Sequence, residues 1–139
     1  MGEGKFMHRK SHLKEGVIVF CAGAGIYGLL ELLWRGHTHW TMPLTGGLCL
    51  SLINACCRRM ERFRLWQRCL AGCGIVTACE FLVGCLVNCV LGWRVWDYSG
   101  RFGNILGQVC VGYSALWFVL CIPACLLCGF LQKKVFDHA

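Results

Sequence analysis

A carboxylate inside a long apolar run is the residue type hardest to explain away. Placing one at mid-bilayer costs about 2.5–3.5 kcal/mol on insertion scales, so those that persist are placed for a reason. Glu80 sits in such a run, and the sequence continues EFLVGCLVNCVLGW, setting Glu80, Gly84, Asn88 and Gly92 four apart. At helical period these share one face, with a small residue between polar ones. Small residues let helices approach closely, and Asn hydrogen-bonds across to a neighbour. Two readings stay open for this stripe: interhelical glue that fixes helix order, or the lining of a solute or ion path.

Other polar groups accompany it. Glu31 has Gly28 and Ala24 spaced behind it and Arg35 one turn ahead, an i,i+4 pair worth tenths of a kcal/mol if exposed. Asn104 and Gln108 precede or open a further apolar run, and Asp97-Tyr98-Ser99-Gly100 has the chemistry of an Asx turn. His37 and His39 are two apart, but no third or fourth ligand is evident, so no metal is expected and a hydrogen-bonding loop is. Cys125 and Cys128 match CxxC within an apolar helix lacking a nearby cation, a poor setting for redox chemistry. Cys56 and Cys57, beside Arg58, are candidates for palmitoylation, whereas Phe6 breaks the pattern for myristoylation of Gly2. No nucleophile, base and orienter converge at any visible spacing, so no catalytic residue and no enzyme activity is expected. A Walker-type phosphate loop is also missing from the sequence, so the chain has no intrinsic nucleotide-binding site of that kind and no cofactor is expected.

The elements that must position these groups follow from composition. Of 139 residues 57% are apolar or aromatic and 15% charged, against about 45–50% and 25% in soluble chains. Disorder is excluded, and a small soluble globule could not cover so much apolar surface. The thirteen cysteines are an odd number lying in apolar runs, so they read as small buried hydrophobes, not a disulfide framework. Runs near twenty residues, the length that spans a hydrocarbon core, fall at 16–34, 40–57, 69–93 and 105–131. The second is the shortest and least apolar. The fourth would be about 40 Å long as a helix, so tilt or a kink at Pro123 is expected. The basic segment before Gly16 reads as a retained signal-anchor. The expected fold is therefore an all-α membrane protein, one bundle of four transmembrane helices within a single domain covering residues 1–139.

Charge then gives orientation. Lys5, Arg9, Lys10, Lys14, Arg58, Arg59, Arg62, Arg64, Arg68, Lys133 and Lys134 fall on one side, against Arg35, Arg94 and Arg101 on the other. Eleven against three places both termini in the cytoplasm by the positive-inside rule. The net charge of +7 is thus topological and implies no nucleic-acid partner. Trp34, Trp40, Trp93, Trp96 and Tyr98 become anchors at the outer interface, and Phe63 and Trp66 at the inner one. Glu31, Asn88, Asn104 and Gln108 fall in the outer half, with Glu80 as the expected floor of a vestibule open to the outside.

Several of these residues also carry a resemblance. YGLLELLWRG, THWTMPLTGGLC, ExxxGxxxN and WDYS followed by Asn104 and Gly107-Gln108 resemble the ABC-transporter type IV permease family of small bacterial membrane proteins. Within it the chain looks closest to the animal transmembrane protein 229 group. Arg101-Phe102-Gly103-Asn104 stands where bacterial members tend to have Pro-Phe-Asn, and Met42-Pro43 through Gly46-Gly47 departs from the family's Gly-Pro element. The resemblance implies a multi-pass four-helix unit and a transport role, with any ATP-driven step needing a separate ATPase docked on the Arg58–Arg68 loop. Four helices enclose little space, which favours homo-oligomers or other membrane subunits as partners alongside the bilayer. Three functional classes remain: a permease-type component of unknown substrate; an interaction protein assembling through its polar and small-residue faces; and an intramembrane lipid enzyme with Glu80 as base and Asp97 or His39 nearby.

Overall fold

In the computed structural model, which describes residues 2–136, the apolar runs form helices and the described residues contain no strand beyond an isolated Ile105–Val109 bridge. The helices are α1 (Gly2–Arg35), α2 (Thr41–Arg59), α3 (Leu65–Gly84) and α4 (Val111–Phe130). A π-helical segment, Cys85–Val90, prolongs α3, and another, Leu131–Phe136, prolongs α4. Among the described residues, three helical stretches are long and apolar enough to cross a membrane by length and composition: Gly2–Arg35, Leu65–Val90 and Val111–Lys134. The run at 40–57 forms a helix too, but α2 is not among those three.

Its place in the bundle fits that composition. α2 packs against each of the other three helices, whereas α1 has little backbone contact with α3 or α4. A helix face packed closely on protein needs small residues more than it needs apolar bulk, while Leu44, Leu48 and Leu52 of α2 remain exposed. Accordingly Thr41, Thr45, Gly46, Gly47 and Asn54 of α2 are all buried. The seam with α1 is tight: a Cβ on Gly23 would lie 2.6 Å from the Gly46 carbonyl, and one on Gly47 would lie 2.8 Å from the Phe20 carbonyl.

Two apolar clusters fill the bundle. The larger contains seven cysteines, Cys49, Cys57, Cys69, Cys79, Cys121, Cys125 and Cys128, packed with Val19, Leu50, Ile53 and Val76. All thirteen cysteines are free thiols, so the core uses them as small hydrophobes. The smaller cluster joins Tyr27, Met42, Val87 and Trp96. Near the other end of the bundle, Glu15 of α1 is buried and pairs with Arg58, and Asn54 Nδ2 donates to Glu15 Oε1 at 3.3 Å. Gln132 Nε2 in turn donates to Asn54 Oδ1 at 2.8 Å, tying α1, α2 and the segment after α4 together.

Three expectations from the sequence need correction. Residues 105–110 do not open the fourth helix: the Gln108 amide donates to the Ile105 carbonyl at 3.0 Å, and Leu106 and Gly107 adopt left-handed φ of 52° and 71°, which a helix cannot accommodate. Starting at Val111, α4 measures about 30 Å along its twenty residues, the thickness of a hydrocarbon core. Gly92 leaves the expected four-residue stripe, because it lies past the π-helical segment with φ of 67°. Trp96 is no interfacial anchor; it is 6% exposed, its ring in the smaller core cluster.

The glycine seam yields a paired test. Gly47→Val should cost about 1–3 kcal/mol through forced helix separation, read as a lower unfolding temperature in detergent. Gly25→Ala, where the added methyl meets nothing within 4 Å, should leave stability unchanged or slightly raised.

Candidate functional site

The arrangement around Glu80 is set by aromatic side chains from two other helices. Tyr27 Oη donates to Glu80 Oε1 at 2.9 Å from α1, and Trp117 Nε1 donates to Glu80 Oε2 at 3.0 Å from α4. The Tyr27 and Trp117 rings stack, centroids 5.4 Å apart and 19° from parallel. Both carboxylate oxygens are therefore engaged and the side chain is 3% exposed. Glu80 is consequently not the exposed floor of a vestibule; it lies beneath the aromatic pair.

Above that pair is a cleft of about 570 Å³. One wall is α1, with Tyr27, Leu30, Glu31, Trp34 and Arg35. The opposite wall is α4, with Tyr113, Leu116, Trp117 and Leu120. Both sets recur at helical spacing, which puts each on one face. Trp96, Asp97, Tyr98 and Arg101 of the loop between α3 and α4 close it from above. Tyr98 stacks on Tyr113 with centroids 4.7 Å apart, and the Arg101 guanidinium lies 4.9 Å from the Tyr113 ring centre. Arg35 bonds Glu31 at 3.3 Å and donates to the Val95 carbonyl at 2.9 Å, fastening the end of α1 to the loop.

The loop itself consumes most of the polar residues singled out from the sequence. Asn88 Oδ1 accepts from the Val95 amide at 2.7 Å, and Asn88 Nδ2 donates to Gln108 Oε1 at 2.7 Å. The Gln108 carbonyl accepts from Trp96 Nε1 at 2.9 Å. Asn104 Nδ2 donates to the carbonyls of Ser99 and Arg101 at 3.1 and 2.8 Å, and Asn104 Oδ1 accepts from the Gly107 amide at 3.1 Å. Asp97 Oδ1 accepts from the Ser99 amide at 2.9 Å, the Asx turn expected there. Gly84 makes room for this loop and not for another helix: a Cβ there would lie 2.6 Å from Gln108 Oε1 and 2.8 Å from the Trp96 ring.

Of the seven polar and glycine positions named from the sequence, Glu31 and Asp97 line the cleft and Glu80 lies below it. Gly84, Asn88, Asn104 and Gln108 hold its roof in place. The other candidates lie elsewhere. His39 Nδ1 is 2.8 Å from Thr41 Oγ1 and accepts from the Thr41 amide at 3.3 Å, at the start of α2. Its ring lies tilted against Trp40 and Trp93, with centroids 5.5 and 5.8 Å away. Cys57 is buried in the larger core, so acylation there would first require unpacking; Cys56, half-buried with its thiol 3.3 Å from Met60 Sδ, is the more open of the two. Sequence reasoning missed Tyr27, Trp117, Tyr113 and Arg101. The signal was available: Tyr27 with Glu31, and Tyr113 with Trp117, are i,i+4 pairs of hydrogen-bonding side chains in otherwise aliphatic stretches.

Two loop groups have displaced titrations. The Ser99 amide holds the Asp97 carboxyl below the usual carboxylate range, while burial pushes the Tyr98 phenol up, so it stays protonated at neutral pH. The cleft thus presents two guanidinium groups, two carboxyl groups and a surround of aromatic faces. Such a lining suits a ligand bearing both charges, with guanidinium to anion and ring face to cation.

Two measurements check this arrangement. Tyr27→Phe keeps the stacked ring but strips one donor from a buried carboxylate, which should lower stability in detergent by about 1–3 kcal/mol. Because its folded value is depressed, the Asp97 carboxylate supports the turn above its unfolded value of about 3.9 and loses that support as pH falls through the folded value. Hydrogen exchange at the Ser99 amide should accordingly quicken, relative to neighbouring amides, as pH falls through that depressed value. In Asp97→Asn, whose side-chain oxygen does not titrate, that relative change should vanish.

No curated protein and no solved structure matches this sequence. Residues 10–138 do match the family described as "Putative ABC-transporter type IV", nearly the whole chain including both cleft walls and the roof loop, and the protein belongs to that family.

Proposed function

We propose that this protein is the membrane-embedded component of a transport system, holding its cargo in the cleft between α1 and α4. The observation that carries the reading is the 570 Å³ cleft itself, a volume typical of small-molecule sites, lined by Glu31, Arg35, Asp97 and Arg101 at the end of an otherwise apolar bundle. Membership of a transporter-type family supports it further.

In this reading all four helices cross the bilayer, α2 among them with its polar residues packed on its partners and Leu44, Leu48 and Leu52 toward lipid. Both termini are cytoplasmic, supported by the eleven-to-three division of basic residues, and the cleft faces the opposite side. The likeness of the WDYS loop and the ExxxGxxxN stripe to the transmembrane protein 229 group supports a place for the chain beside it. The protein acts by binding and passage and is not an enzyme. An interaction role through the Glu80 and Gly84 face finds less support, because Tyr27, Trp117 and the chain's own loop already occupy that face.

Energy would come from a separate ATPase subunit on the cytoplasmic side. Between α2 and α3 the non-helical segment is only residues 60–64, with Arg59, Arg62, Phe63, Arg64 and Trp66 exposed along it and its flanks. A mixed basic and aromatic surface of this kind suits a protein or headgroup contact. Purified in mild detergent from its native membrane, the protein should bring with it ATPase activity that falls at least tenfold when Arg62→Glu and Arg64→Glu are combined. Purification without any ATPase activity would overturn the ATP-driven reading.

A further inference from the structure

Below the charged cleft, and adjoining it, lies a second cavity of about 250 Å³ between α1 and α4, backed by α2 and lined almost entirely by carbon. Tyr27, Leu30, Trp117 and Leu120 line both spaces. The lower one continues past Ile26 and Gly23 on α1 and past Cys121, Ala124 and Leu127 on α4. It exists because α2 holds α1 and α4 apart: these two helices meet through the Tyr27–Trp117 stack and the Trp34–Tyr113 hydrogen bond of 3.4 Å, without backbone packing along the groove.

We propose that cleft and groove are one site for a zwitterionic phospholipid, its headgroup in the cleft and an acyl chain laid along the groove. Charge and shape complementarity single out this occupant. A ligand filling both spaces must be polar at one end and purely apolar over the rest, and it must reach the site from within the bilayer through the α1–α4 gap. Its polar end meets both signs of charge. Arg101 stacks on Tyr113 and makes no ion pair among the described residues, so its guanidinium is available to a phosphodiester oxygen. The cationic end of the head would lie on the Trp34 side, near the Glu31 and Asp97 carboxylates. Arg35 is already held by Glu31, so an anionic headgroup would meet the Arg101 guanidinium but bring no cation to the Glu31 and Asp97 side of the cleft. A transmembrane helix from another chain would fill the groove but offer nothing to the charged end.

Lipid binding stands apart from ATP use, but the claim that the bound lipid is the cargo rests on the transport reading. The full chain, reconstituted in nanodiscs of equal phosphatidylcholine and phosphatidylglycerol and released into mild detergent, is examined by native mass spectrometry. The wild type should retain one phosphatidylcholine per chain, with phosphatidylglycerol at least tenfold lower. Arg101→Glu, on the exposed loop, and Leu120→Trp, which plugs the junction of the two spaces, should each cut retention at least tenfold. Phe102→Ala, a neighbouring residue 90% exposed and outside both spaces, should bind as the wild type does. Should Leu120→Trp misfold, Arg101→Glu carries the test alone. Equal retention of the two lipids, wild-type retention by Arg101→Glu, or recovery of a lipid-free dimer would each overturn the proposal. Absence of ATPase activity on purification would overturn the ATP-driven reading and leave this result untouched.

Discussion

The Glu80 carboxylate is the constraint around which the bundle is organised. A buried ionisable group without partners would cost far more than a small domain can spare, so the two donors that reach it must be held in place. Tyr27 and Trp117 do this from different helices, and their stacked rings shut Glu80 away from the space above. That single contact fixes the lateral position of α1 relative to α4 and supplies the floor of the cleft. In this geometry the side chain ties three helices together, with Tyr27 and Trp117 between it and the cleft.

The roof follows a different logic. An irregular loop of about twenty residues over an apolar bundle must satisfy its own backbone groups, since only protein or water can pair with them. Asn88, reaching out from the end of the π-helical segment, and Gln108 do most of this, with Asn104 and Asp97 closing the turns. The side-chain amides of Asn88, Asn104 and Gln108 are committed in this way and unavailable to a ligand. What the loop presents to the cleft are the groups at its inner rim, Asp97, Tyr98 and Arg101.

Much of this was legible in the sequence, unevenly. Helix existence follows from run length, and the special status of Glu80, Asn88 and Gln108 from their being polar where polarity is costly. The ends of elements were less legible. The expectation that the fourth helix begins at Ile105 failed because an apolar run cannot distinguish a helix from a turn whose backbone bonds close on themselves at Ile105 and Gln108. Trp96 misled for a related reason: tryptophan near a span end is usually interfacial, and only the space left by Gly84 lets this ring go inward. The partners of Glu80 stayed hidden because pairing across 53 and 37 residues leaves no local pattern. Their types, a phenol and an indole within aliphatic stretches, were the only trace.

The position of α2 connects these strands. As the helix that touches all the others, it carries threonines, glycines and Asn54 among its buried residues, while Leu44, Leu48 and Leu52 lie exposed. Packing through α2 has a geometric consequence elsewhere. It leaves α1 with little backbone contact to α3 or α4, and the apolar groove lies between α1 and α4. The resulting gap opens sideways, toward the apolar surroundings of the bundle, while its charged end lies under the loop. A water-soluble cargo entering from above would meet Tyr27 and Trp117 and have no use for the apolar groove beyond them; an amphiphile arriving sideways would use both. The same helix order that hides Glu80 therefore argues for a ligand drawn from the membrane itself.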